Sequence, residues 1–136
     1  MIIFGWDFLL LMFPETQNFY SYLSHQKKFS EHTVLNYRID LHQFTDYISS
    51  ETSINKEIQL TSHHIRDYLA FLFEKKFSSS SINRKLSSLK SYFKYLLRNG
   101  LIEKNPAEII SGPKKIKALP SFLDNSSTSK LFNEII

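Results

Sequence analysis

No cysteine occurs in the 136 residues. Disulfides and thiolate metal ligands are thereby excluded, and a reducing, cytoplasmic setting is the natural expectation. Glycine and proline are scarce, at three and four residues, too few for the many tight turns of a sandwich or barrel. There is no glycine-rich phosphate loop, no HExxH pair and no GxSxG elbow. His25, His32, His42, His63 and His64 stand at no metal-ligand spacing, and the adjacent His63 and His64 point about 100° apart on a helix. No cofactor, metal or small-molecule substrate is expected, and no catalysis by this chain alone.

A long hydrophobic run is also missing. Residues 1–13 are apolar except at Asp7, but a bilayer span takes about 20 residues. They have neither the basic start nor the small-residue cleavage site of a signal peptide. This leader reads as an extra apolar segment against the domain or a product of where the reading frame begins, with a membrane-surface anchor as the alternative. The remainder is enough for one domain, and a hydrophobic content of 42% supplies its core.

Helical periodicity is what the chain does have. Pro14 and Glu15 suit a helix start, and Phe19, Tyr22 and Leu23 give helix one over residues 15–26. Ser30 is the expected N-cap of helix two, which runs to Ser49 on Val34, Tyr37, Leu41, Phe44 and Ile48, with Leu35 and Ile39 widening that stripe. Its outer face is expected to carry Thr33, Asn36, Arg38, Asp40 and Gln43. After a loop over residues 51–59, Thr61 caps helix three, with Ile65, Tyr68, Leu69, Leu72 and Phe73 as its stripe. The serine run at 78–81 opens helix four, and Gly100 closes it. Ile82, Leu86, Leu89, Phe93, Leu96 and Leu97 form its apolar side. Asn105-Pro106 marks a turn before a short fifth helix to Ile110. Pattern alone therefore predicts an all-α bundle of two helical hairpins with short connections.

Helix four carries the strongest charge signal. A formal net charge of +4 says little by itself, but residues 84–98 hold Arg84, Lys85, Lys90, Lys94 and Arg98 and no acid. Basic residues interleaved with serine and tyrosine suit phosphate contacts, and a helix fits the DNA major groove. An ordinary solvated helix face is the competing explanation. Residues 111–120, SGPKKIKALP, read as an extended linker. Beyond it Leu131, Phe132, Ile135 and Ile136 form a stripe without a partner in the chain.

Three motifs carry a family resemblance. Ser30-x-x-Thr33-x-x-x-Tyr37-x-x-Asp40-Leu41-x-x-Phe44 resembles the second helix of the N-terminal core-binding domain of tyrosine recombinases, closest to Xer-type and phage-integrase-like members. Residues 81–93, SINRKLSSLKSYF, are similar to its fourth helix. Asn105-Pro106-Ala107, Pro113-Lys114-Lys115 and Leu119-Pro120 resemble its exit and interdomain linker.

The resemblance implies a SAM-like four-helix domain over residues 14–110 that grips a double-stranded DNA recombination site. It further implies a linker over 111–124 and, at 125–136, the first helix of a catalytic domain that the chain does not contain. The family's second and fourth helices face DNA. By position that nominates Thr33, Asn36, Tyr37 and Arg38, then Arg84, Lys85, Ser87, Ser88, Lys90 and Ser91; Tyr37 and Lys85 lie at the borders of their apolar stripes. The nucleophilic tyrosine of the family belongs to the catalytic domain, so none of the seven tyrosines here is assigned that role. Other recombinase subunits are the further partners implied. A helical protein-interaction module remains the alternative.

Overall fold

A computed structural model describes Phe13, residues 15–54 and residues 56–114. Among them four α-helices follow in order: α1 Glu15–His25, α2 Glu31–Glu51, α3 Ser62–Glu74 and α4 Ser79–Arg98. A short 3-10 turn, Glu57–Gln59, joins α2 to α3, and no strand occurs among the described residues. Three of the helices start for visible local reasons. The Oγ atoms of Ser30 and Ser78 accept from the N–H groups of Thr33 and Ser81, both at 3.2 Å, as N-caps do. At α3 the N–H of Thr61 donates to Nδ1 of His64 at 3.0 Å, an imidazole filling the usual glutamate place of a capping box. Gly100 ends α4 at φ +72°. There Leu101 N–H reaches back to the Leu96 carbonyl at 2.9 Å and Gly100 N–H to that of Leu97 at 3.1 Å, a closure that favours glycine.

The tetrapeptide Lys-Lys-Phe-Ser occurs twice, at residues 27–30 and 75–78. Each copy turns the chain between two helices that pack on each other, α1 on α2 and α3 on α4. In both, the second lysine is left-handed, with φ 55° at Lys28 and 70° at Lys76. That conformation costs a non-glycine residue about 1–2 kcal/mol. A phenylalanine packed on the core and a capping serine follow at once and offset it. The closures differ by one residue. Phe77 N–H bonds the Leu72 carbonyl at 3.1 Å, whereas Phe29 N–H reaches one position further, to Leu23 at 3.0 Å.

α4 is the central element, touching each of the other three helices. Its buried arc is therefore wider than its apolar stripe and includes Lys85, Ser88 and Tyr92. Phe44 of α2 meets Tyr68 of α3 edge-on at 5.1 Å and Phe93 of α4 at 6.2 Å. On the other side Phe19 of α1 meets Tyr92 at 5.3 Å. Such edge contacts add to the burial of large rings.

Several expectations are corrected. Leu35 and Ile39 do not widen the α2 stripe; they are 48% and 44% exposed, because at 100° per residue they fall opposite Val34, Leu41 and Ile48. Asp40, expected outside, is buried. Phe73 leaves the α3 stripe for solvent at 72% exposure. The fifth helix is not completed: residues 106–109 form only a turn, held by N–H bonds from Glu108 to Asn105 and Ile110 to Ala107, both 3.2 Å. The segment still packs, since Ile102, Ala107 and Ile110 are buried.

The chain then leaves along α4. Asn83 Nδ2 donates to the carbonyl of Pro113 at 2.8 Å and to that of Ser79 at 2.9 Å. A Cβ at Gly112 would lie 1.9 Å from Asn83 Oδ1, so only glycine lets the backbone approach so closely without a shift. Phe13, the last residue of the expected leader, is buried in the core. The rest of that leader, Pro14, the linker from residue 115 and the expected last helix with Leu131, Phe132, Ile135 and Ile136 lie outside the described residues. No described helix is long and apolar enough to cross a membrane.

Candidate nucleic-acid interface

The acid-free face of α4 is met by an acid from α2. Asp40 is 2% exposed and takes three partners from α4. Arg84 Nη2 and Lys85 Nζ pair with its Oδ1 at 2.9 and 3.1 Å, and Ser88 Oγ donates to Oδ2 at 2.8 Å. Lys85 Nζ also donates to Gln43 Oε1 and lies 5.3 Å from the centre of the Phe77 ring. A buried ammonium is tolerated only when its charge and its N–H groups are met, and here carboxylate, amide and ring meet them.

The nominated residues consequently divide. Lys85 and Ser88 are buried and bonded to Asp40, so neither reaches a surface ligand in this fold. Arg84 keeps half of its side chain in solvent, 56%, while one nitrogen is held by Asp40. Ser87 and Asn36 are exposed, and Lys90, Ser91, Thr33 and Arg38 are half-buried. Thr33 Oγ1 accepts from Ser30 Oγ at 3.0 Å, and the Arg38 guanidinium covers the Tyr20 ring at 4.6 Å. Burial pushes the Tyr20 phenol up to about 12, with Arg38 opposing. Tyr37 is half-buried between Phe29, stacked at 6.0 Å, and Phe19, edge-on at 5.9 Å. Its ring is a packing element, as its border position allowed.

A second carboxylate reaches α4 differently. Tyr92 Oη donates to Glu57 Oε2 at 2.6 Å. Burial raises the Glu57 carboxyl above its ordinary value, and the bond from Tyr92 lowers it by less. Burial and the Glu57 charge together hold the Tyr92 phenol well above its usual range.

Past Ser88 the face is different. Lys90 and Lys94 make no ion pair among the described residues, and Arg98 has only a 3.4 Å bond from Nη1 to the Tyr22 hydroxyl. Lys27, from the first Lys-Lys-Phe-Ser connector, comes to the same groove as Lys94 and Arg98. These three were not among the nominated residues. Lys94 and Arg98 were visible as a basic flank, but the approach of Lys27 exists only once α1 packs beside α4. Among the described residues no group of three histidine, aspartate or glutamate side chains could hold a metal ion.

Residues 16–100 match the family described as phage integrase, N-terminal SAM-like domain. The chain belongs to this family. The chain is also similar to curated tyrosine recombinases. It is 34% identical over 117 residues to the tyrosine recombinase XerC of Halalkalibacterium halodurans, covering 86% of this chain and 38% of that protein. With the XerC of Anoxybacillus flavithermus it shares 37% over 114 residues, 84% of this chain and 38% of the relative. With the tyrosine recombinase of Pseudothermotoga lettingae it shares 37% over 117 residues, 85% and 40%. The chain thus spans about two fifths of the length of the relatives it matches. No solved structure gives a significant match.

Proposed function

We propose that this SAM-like domain binds duplex DNA through the outer faces of α2 and α4, as the site-gripping part of a tyrosine recombinase. The domain occupies residues 14–110, followed by a linker over 111–124 and the start of a further domain at 125–136. Strand cleavage is assigned to no residue described here. One observation carries the reading: Asp40 is used up inside the bundle, and the exposed cations of α4 face solvent with no acid beside them on that helix. Lys90, Lys94 and Arg98, together with the half of the Arg84 side chain left in solvent beside its Asp40 pair, are then placed to replace counterions along a phosphate backbone. Asn36, Ser87 and Ser91 add hydrogen-bonding groups that position a duplex.

Contact with about five phosphates gives a slope of log K against log salt near −4 to −5. Replacing Arg84 and Lys90 together by Ala flattens that slope by about two units and weakens binding to unrelated sequences alike. Duplex retention by the double variant equal to wild type at low salt would overturn the assignment. A second reading, a protein-interaction module, is favoured by the groove of about 470 Å³ lined by Leu60, Leu97, Pro106 and Ile109, where Ile109 is 70% exposed. Self-association without any DNA affinity selects it.

A further inference from the structure

We propose that the groove between the α1–α2 connector and the last two turns of α4 is a separate binding site for a backbone phosphodiester. It rests on the duplex-binding reading above and deepens it: Lys94 and Arg98 belong to the face already assigned to the duplex, and Lys27 from the α1–α2 connector joins them to form one defined site. The groove encloses about 180 Å³, and its lining includes Lys27, Lys94 and Arg98 but no described carboxylate. Ser91, Tyr22 and Tyr37 also line it, adding hydroxyl-bearing side chains to the three cations. Three like charges around one small groove repel each other, and an anion seated among them relieves that repulsion.

The groove is also built rather than incidental. Lys27 is fixed at its backbone, where its N–H donates to the Tyr22 carbonyl at 3.1 Å. The Arg98 guanidinium is held against the Tyr22 hydroxyl at 3.4 Å, on a wall where the Tyr22 and Tyr95 rings pack at 5.0 Å. The opposite wall is the stacked pair Phe29 and Tyr37. Of the three cationic groups that of Arg98 is placed in advance, and it loses less freedom when an anion arrives. A cationic rim over aromatic walls suits a phosphate with its sugar, and the small volume excludes a base pair.

Distance separates this site from the first half of α4. Arg84 and Arg98 are fourteen residues apart, roughly 21 Å along the helix at 1.5 Å per residue. The major groove is about 12 Å wide, so the two arginines meet different phosphates. The proposed site is a second anchor at the far end of the helix.

The test uses the whole chain, a short DNA duplex and a salt titration by fluorescence anisotropy. The variants are Lys27→Gln/Lys94→Gln/Arg98→Gln and, for reference, the Arg84 and Lys90 double variant. The expected result is an affinity loss of about tenfold or more for the triple variant and a slope flatter by two to three units. Its melting temperature stays at or above wild type, because exposed like charges have been removed. Wild type without duplex affinity overturns the functional reading itself. Wild-type binding that falls in the double variant and is unchanged in the triple variant overturns this inference alone. In NMR spectra the Tyr22 and Tyr37 ring signals shift on adding duplex. Equal shifts with millimolar inorganic phosphate would show a general anion site and overturn the phosphodiester assignment.

Discussion

The two halves of α4 are made of the same residue types and meet different fates. In the first half Arg84, Lys85 and Ser88 turn toward Asp40, and two of the three leave the surface. In the second half Lys90, Lys94 and Arg98 pair with no acid among the described residues. Neither half contains a carboxylate in its own sequence, so the helix alone gives no sign of the division. A single side chain on α2 makes it. Charge counted along a helix is therefore an upper bound on the charge its surface presents.

The comparison breaks most severely at Asp40. Asp40→Ala leaves Lys85 buried with its charge unmatched, and the expected loss is about 3–5 kcal/mol in urea unfolding. Adding Lys85→Met recovers much of it, since an apolar side chain of similar volume tolerates burial. A loss under about 1 kcal/mol for the single change would mean that Lys85 escapes to water and that the first half is not committed inward.

A smaller effect reads the division directly. Lys85→Met leaves the salt slope of duplex binding unchanged, whereas Lys94→Met lowers it by about one unit. Equal flattening by both variants would put Lys85 at the surface and erase the distinction between the halves.

The smallest effect sharpens the contrast between Asp40 and Glu57, the two carboxylates that reach α4. Asp40 is matched by cations, while Glu57 meets the Tyr92 hydroxyl and has no ion pair among the described residues, and burial raises its carboxyl from the ordinary 4.5. The folded state thus takes up the proton more readily than the unfolded chain. Its contribution is full below 4.5 and is lost as pH rises through the raised folded value. Glu57→Gln removes that slope and is at least as stable as wild type at neutral pH. Denaturant midpoints between about pH 4 and pH 7 check it; a wild-type midpoint that climbs with pH in that window speaks against a raised Glu57.

Much of the fold is legible in local sequence. Ser30, Ser78 and Gly100 act within one turn of their own position, so residue type suffices to place them. The stripes of α2 and α4 are read from periodicity, and the family motifs follow the same segments. Asp40 is another matter. Its partners are 44 to 48 residues away, and nothing on α2 alone distinguishes a buried acid from a solvated one. Lys85 and Ser88, expected at the surface, are buried for the same reason: α4 packs against three other helices, which one helix cannot announce. Lys27 is the converse case, an ordinary connector lysine until packing sets it beside Lys94 and Arg98.

Asn83 has a consequence for whatever the chain carries after Lys114. Its amide ties the departing backbone to the first turn of α4, one residue from Arg84. The exit therefore has a bearing set by that helix and not by the length of the linker. If α4 tilts against a surface, the backbone at residues 112–113 turns with it, as a rudder stock turns its blade.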